Sequence, residues 1–283
     1  SAFVFLFAAH LNQSTFRVIY MEVTINAATP IAIPPAKKET FNALTRAPEF
    51  AWITVGMGFT VIFMVLAVDA LALGDHLSMP LAAVLNGVLL CFTFSIIHDA
   101  IHRALCRDVA LNDKLGFVAT VIFSPYASLK LFRWAHMEHH RFTNAPEDPD
   151  NWTHGSVWSL PFRWMTIDIF YLVRALQSDQ PQVKKILWEM VPQLAVALVL
   201  ATACILAGYG TALVFLVLVP TRITLVLNGF MFFWLPHAHH KPRQSDNLTL
   251  ATTVRLGSEW LLTPLLQCQN YHLIHHLWPT TPF

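Results

Sequence analysis

Eight histidines fall into three tight groups: His98 and His102, then His136, His139 and His140, then His272, His275 and His276. At spacings of three and four residues, side chains share one face of a helix, a turn apart. Neutral imidazole is a good ligand for iron and for zinc. A helix offering two or three imidazoles on one face is therefore a candidate part of a metal site. One such group reads equally well as an interfacial histidine face that binds nothing. Three groups, each beside a strongly apolar run, point to one site assembled from several segments. A single zinc uses three or four protein ligands, so eight imidazoles are better matched to two metal ions. The groups are nearly pure histidine, unlike the carboxylate-rich di-iron sites of soluble bundles.

Other residues stand close to these groups. His237 begins a fourth, less regular cluster with His239 and His240, and is a candidate ninth ligand. His239 and His240 read equally as loop residues beside Lys241, and no role is assigned to them. Asp99 and Glu138 lie inside the groups but off the ligand face, and Asn270 precedes the last one. These three are candidates to accept a hydrogen bond from an imidazole N–H rather than to bind metal. His10, His76 and His154 lie clear of the groups and read as interfacial or loop residues.

The elements that must position these side chains are hydrophobic. The 283 residues are 55% hydrophobic and 12% charged, about half the usual charged share. A net charge of +1 gives no reason to expect nucleic acid as a partner. Cys91, Cys106, Cys204 and Cys268 form no CxxC pair, so they read as buried thiols rather than a disulfide or cluster framework. Four apolar stretches suit membrane spans: Ala51 to Leu73, Pro80 to Ile97, Val191 to Ala207 and Thr211 to Leu235. The turns at 74–78 and 208–210 lack Lys and Arg. The opposite ends carry Lys37, Lys38, Arg46, Arg103, Arg107, Lys114, Lys184, Lys185, Lys241 and Arg243. The positive-inside pattern then places every histidine group, and both termini, on the cytoplasmic side.

Residues 115–132 hold Pro125 and Lys130, and a further crossing there would part His136 from His98. A re-entrant or surface-lying segment is expected instead. Residues 156–176 mix aromatic and charged side chains in the manner of an amphipathic interfacial helix. Residues 256–268 form an apolar, helix-like lead into the last histidine group. Asp69 and Arg222 both fall in the outer half of their spans, where a charge in lipid is costly; a contact between them that holds the hairpins together is expected, with independent snorkelling of each as the equal alternative. Residues 1–50 read as an amino-terminal tail, with 1–20 upstream or non-native, and residues 51–283 as the membrane domain. That domain is expected to be cut short at Phe283.

The segments His98-Asp-Ala-Ile-His102, His136-Met-Glu-His139-His140 and His272-Leu-Ile-His275-His276 resemble the three histidine boxes of the membrane fatty-acid-desaturase-like superfamily. Residues 144–150, Trp234-Leu-Pro-His237 and Gln269 through Pro279 are most similar to desaturase-type β-carotene hydroxylases, and more distantly to carotenoid ketolases. The resemblance implies an all-α integral membrane fold: four transmembrane helices in two hairpins, interfacial helices and a cytoplasmic-side di-iron site. It implies two iron ions held by His98, His102, His136, His139, His140, His237, His272, His275 and His276, with no catalytic residue beyond these ligands. It further implies dioxygen as co-substrate and oxidation of an unactivated C–H bond of a lipid, either carotenoid or acyl chain. A separate electron donor, ferredoxin or cytochrome, would supply the reducing equivalents. An acyl-lipid desaturase uses the same boxes and remains the nearest alternative. A zinc-dependent membrane hydrolase is a distant one, and a heme protein would need histidines in mid-span.

Overall fold

The computed structural model describes residues 33–238 and 242–282. Their regular structure is helical throughout, with no β-strand among the described residues. Four helices are long and apolar enough to cross a membrane: Trp52–Leu73, Met79–Ile101, Pro181–Leu206 and Gly210–Trp234, hereafter the first to fourth spans. Helices suit such apolar runs because every backbone group is satisfied within the segment. The second and third spans each open with a proline in the first turn, where its missing N–H is no loss.

Two spans run longer than hydropathy marks. The second continues to Ile101, so His98 lies in its last turn and His102 caps it. The third begins at Pro181 rather than near Val191. Hydropathy reports the lipid-covered stretch, whereas the helix continues through Lys184 and Lys185 because those residues favour helix and can reach water. Lys130 and Glu189 pair there at 2.8 Å. Outside Val183 and Met190, no side chain of the third span is buried by protein.

The second span is the centre of the bundle, packed on the first, on the fourth and on the helix Val109–Phe123. Small residues allow these close approaches. A Cβ on Gly58 would lie 1.6 Å from Ile96 Cδ1, and one on Gly87 would lie 2.6 Å from Ile223 Cβ. Thr224 of the fourth span donates to Gly87 O at 2.7 Å.

The stretch after the second span is two helices. Val109–Phe123 starts at Asp108, whose side chain accepts from the amides of Ala110 and Leu111. Leu129–Phe142 starts at Ser128, which accepts from Leu131 N. Neither is among the four candidate spans. The amphipathic stretch 156–176 is not one helix: Leu160–Met165 and Ile167–Leu176 meet at a break at Thr166. The fourth span winds as π-helix over Val214–Leu218 and Gly229–Trp234, the second of these just before His237.

The expected Asp69–Arg222 contact is not made. Asp69 accepts from Asn86 Nδ2 at 2.7 Å within its own hairpin. Arg222 instead donates to Asp168 Oδ1 at 3.0 Å and Met165 O at 2.7 Å, and also to the Tyr126 hydroxyl. Each charge finds a nearer partner than the other hairpin offers. All four cysteines are free; Cys91 and Cys106 are buried as expected, but Cys204 is exposed on the third span.

Candidate metal centre

Four elements bring the histidines together. The second span carries His98 and His102 at its end, and the helix Leu129–Phe142 carries His136, His139 and His140. The end of the fourth span delivers His237, and the helix His272–Leu277 carries His272, His275 and His276. All nine side chains are buried. Arg133 ties the first two elements together: its guanidinium donates to Ala100 O at 2.7 Å and Ile101 O at 3.1 Å and pairs with Asp113 at 2.6 Å.

The imidazoles sort into two groups of four. His98, His102, His136 and His275 each offer a ligand nitrogen within 4.8 Å of the others, and so do His139, His237, His272 and His276. His140 stands at the junction. Its Nε2 is 3.1 Å from His136 Nε2 and 2.9 Å from His275 Nε2, while its ring stacks on His276 at 4.3 Å between centroids.

The second group is oriented ring by ring. His139 Nδ1 faces Asp148 Oδ1 at 2.9 Å, His237 Nδ1 faces Ala251 O at 3.4 Å, and His276 Nδ1 faces Gln244 Oε1 at 3.3 Å. His272 Nδ1 donates to Gln269 Oε1. An oxygen that only accepts requires an N–H opposite it, so each Nδ1 holds the proton and each Nε2 of a neutral ring holds a lone pair. Yet His272 Nε2 lies 3.0 Å from His237 Nε2 and 3.1 Å from His276 Nε2. Lone pairs facing one another at that range repel unless a cation sits among them. The donor set therefore fits a metal ion. In the first group, His102 Nε2 is buried with no hydrogen-bond partner among the described residues, as a ligand atom would be.

Electrostatics agree with this reading. Burial first, and neighbouring imidazoles next, hold His102, His136, His140, His237, His272, His275 and His276 well below the usual histidine range. Neutral imidazole is the form that binds metal. His139 is the exception. Burial lowers it, but the carboxylates of Asp148 and Asp150 outweigh burial and raise it to about 9. A metal cation at Nε2 would replace the positive charge that this carboxylate pair favours.

A fatty acid desaturase profile matches residues 75–283. The chain belongs to the fatty acid desaturase family. It is also 29% identical over 136 residues to an sn-1 oleoyl-lipid 12-desaturase of Arthrospira platensis, a match covering 45% of this chain and 37% of that protein. Membership of a desaturase family, four apolar spans and clustered imidazoles together make this an integral membrane protein with a histidine-rich site suited to metal.

Within this desaturase-family site, the residues expected to support the imidazoles are mostly different ones. Asp99 Oδ1 is 3.8 Å from His98 Nδ1, too far for a hydrogen bond, and its other oxygen accepts from Thr54 at 3.2 Å. Glu138 is half-buried and makes no hydrogen bond to an imidazole among the described residues. Asn270 is buried, but its amide donates to Thr263 at 3.3 Å. Oxygens of Asp148, Gln244, Ala251 and Gln269 face the imidazoles of the second group. Asn144, in left-handed backbone, joins two of these segments. Its amide donates to Pro242 O at 2.9 Å and Ala251 O at 2.8 Å, and its N–H donates to Asp148 Oδ2 at 2.9 Å. Gln269 carried a readable signal, three residues before His272. Asp148 stood in the Asp-Pro-Asp ending beyond a turn, where helical periodicity says nothing. His10, His239 and His240 lie outside the described residues.

Proposed function

We propose that this chain is an oxygen-dependent di-iron oxidoreductase of the desaturase type, acting on unactivated C–H bonds of a lipid. The observation that carries the reading is the pair of four-histidine groups, one of them with its lone pairs turned inward by hydrogen-bonded oxygens. The nine histidines His98, His102, His136, His139, His140, His237, His272, His275 and His276 would hold two iron ions. Iron bound there supplies the activation of dioxygen that oxidation of such a C–H bond requires.

The remaining work falls to the chain's own groups. Asp148 keeps the proton of His139 on Nδ1, and Gln269 does the same for His272. The rings of Phe94 and Phe232 pack against His98 and present hydrocarbon, not water, on that flank. A lipid arriving from the bilayer meets an apolar approach. Two reducing equivalents would come from a separate carrier, ferredoxin or cytochrome. The distribution of Lys and Arg supports a cytoplasmic site with both termini on that side. We read residues 51–283 as one membrane domain behind a tail at 1–50.

Two substrate readings have specific support. Hydroxylation of a carotenoid ring is supported by residues 144–150, 234–237 and 269–279. Desaturation of an acyl chain is supported by the Arthrospira platensis relative. The test is expression in a bacterium that accumulates β-carotene, with pigments and fatty acids analysed from the same cells. Hydroxylated carotenoid establishes the first reading, a keto product moves it to the ketolases, and a new acyl double bond establishes the second. Purified protein holding zinc or no metal, rather than iron, would sink the di-iron proposal itself.

A further inference from the structure

Residues 256–266 have no part in the reading above. The segment that holds them leaves and rejoins the site at one place: Arg255 N donates to Asn270 O at 2.6 Å, and Leu273 N donates to Thr253 O at 2.9 Å. Between these ends the chain runs out and back, carrying the short helix Glu259–Leu265. Left-handed backbone marks both turns, at Gly257 and Ser258 before the helix and at Gln267 and Cys268 after it. The exposed side chains of the helix are all apolar: Trp260, Leu261, Pro264 and Leu265, with Leu256 exposed just before. A contiguous apolar face of this kind marks a contact surface rather than one left to water.

Gln267 shows what the contact is. Its side chain is buried against the second span. Ser95 donates to Gln267 Oε1 at 2.6 Å, Gln267 Nε2 donates to Cys91 Sγ at 3.5 Å, and Cys91 donates to Asn228 Oδ1 at 2.9 Å. Along the second span, Ser95 and Cys91 lie about 4.5 Å and about 10 Å from His98, toward the middle of the helix. The far end of Glu259–Leu265 is therefore tethered at the depth of the spans, not above them.

We infer that residues 260–266 form a re-entrant flap that dips into the hydrocarbon of the bilayer, with Trp260, Leu261 and Leu265 against lipid acyl chains and the Glu259 carboxylate left at the level of the headgroups. The flap leads directly into the third histidine group, since Gln269, two residues past the tether, orients His272. The inference rests on the four long helices being membrane spans and is independent of the substrate.

Nitroxide labels test it. Leu261→Cys and Leu265→Cys are made in a Cys204→Ser background, labelled, and reconstituted in phosphatidylcholine vesicles. The labelled background alone supplies the baseline. Leu198→Cys on the third span marks lipid and Asp246→Cys marks water, both residues being exposed. Paramagnetic resonance then compares collision with oxygen and with a water-soluble nickel chelate. The expected oxygen-to-nickel ratio at both flap positions matches Leu198→Cys and stands several-fold above Asp246→Cys. A ratio like that of Asp246→Cys would overturn the inference, placing the flap in water. So would dipolar broadening with both collisions lost, since a second copy of the chain would then be the cover. Adding Gln267→Ala should lower the ratio at position 265. An unchanged ratio would show that the tether does not set the depth.

Discussion

The two histidine groups lie side by side and are held by different means. In the second, Asp148, Gln244, Ala251 and Gln269 each fix one ring through an oxygen at its Nδ1. These oxygens come from turns and extended segments, not from the spans. The first group also leans on packing and helix ends. Phe94 and Phe232 lie 6.4 and 6.1 Å from His98 between ring centroids, and Arg133 grips the carbonyls that end the second span. The first group is thus tied to the apolar core, and the second is held by hydrogen bonds from outside the spans. The first should fail with the fold; the second should fail one ring at a time.

The largest effects come from the ligands. His102→Ala and His237→Ala are each expected to abolish turnover, and each to remove the metal of its own group only. Elemental analysis of the purified variants should find half the bound metal in either case. Loss of all metal from either variant would mean that the groups are not separable. Phe94→Ala removes a buried ring, with an expected cost of about 3–5 kcal/mol. Its thermal unfolding should shift down for the whole protein, with metal lost from the first group before the second.

Asp148→Asn sharpens the comparison from the other side. Removing the charge that orients His139 should weaken metal binding in the second group by about 10–100-fold. The first group should keep its affinity, as read by metal titration followed spectroscopically. Gln269→Leu and Gln244→Leu remove neutral acceptors and belong at the lower end of that range. Glu138→Gln should change neither metal content nor turnover, and a loss of metal would return Glu138 to the site.

The candidate ligands were legible in the sequence because one helix places residues three and four apart on one face. His98 with His102, and His272 with His275 and His276, needed nothing beyond that rule. The spans were legible from hydropathy, within a few residues at most ends. The supports were not. Asp148 reaches His139 across a turn, and Gln244 reaches His276 from a segment 32 residues earlier; no local period carries such pairings. Glu138 and Asn270 were attractive only because they adjoin histidines, and adjacency on a helix directs side chains apart. Arg222 had a charged candidate in Asp69 by depth alone, but Asp168 of the interfacial helix lies within hydrogen-bond range.

The third span leaves a practical consequence. Among the described residues only Val183 and Met190 of this span are buried, and most of its side chains face outward. Solubilisation exchanges the surrounding lipid for surfactant along a whole helix, and along a smaller share of the more buried second span. Shelf life during purification should therefore track the choice of amphiphile more closely than any single substitution on that helix, and added native lipid should recover what a short-chain surfactant takes away.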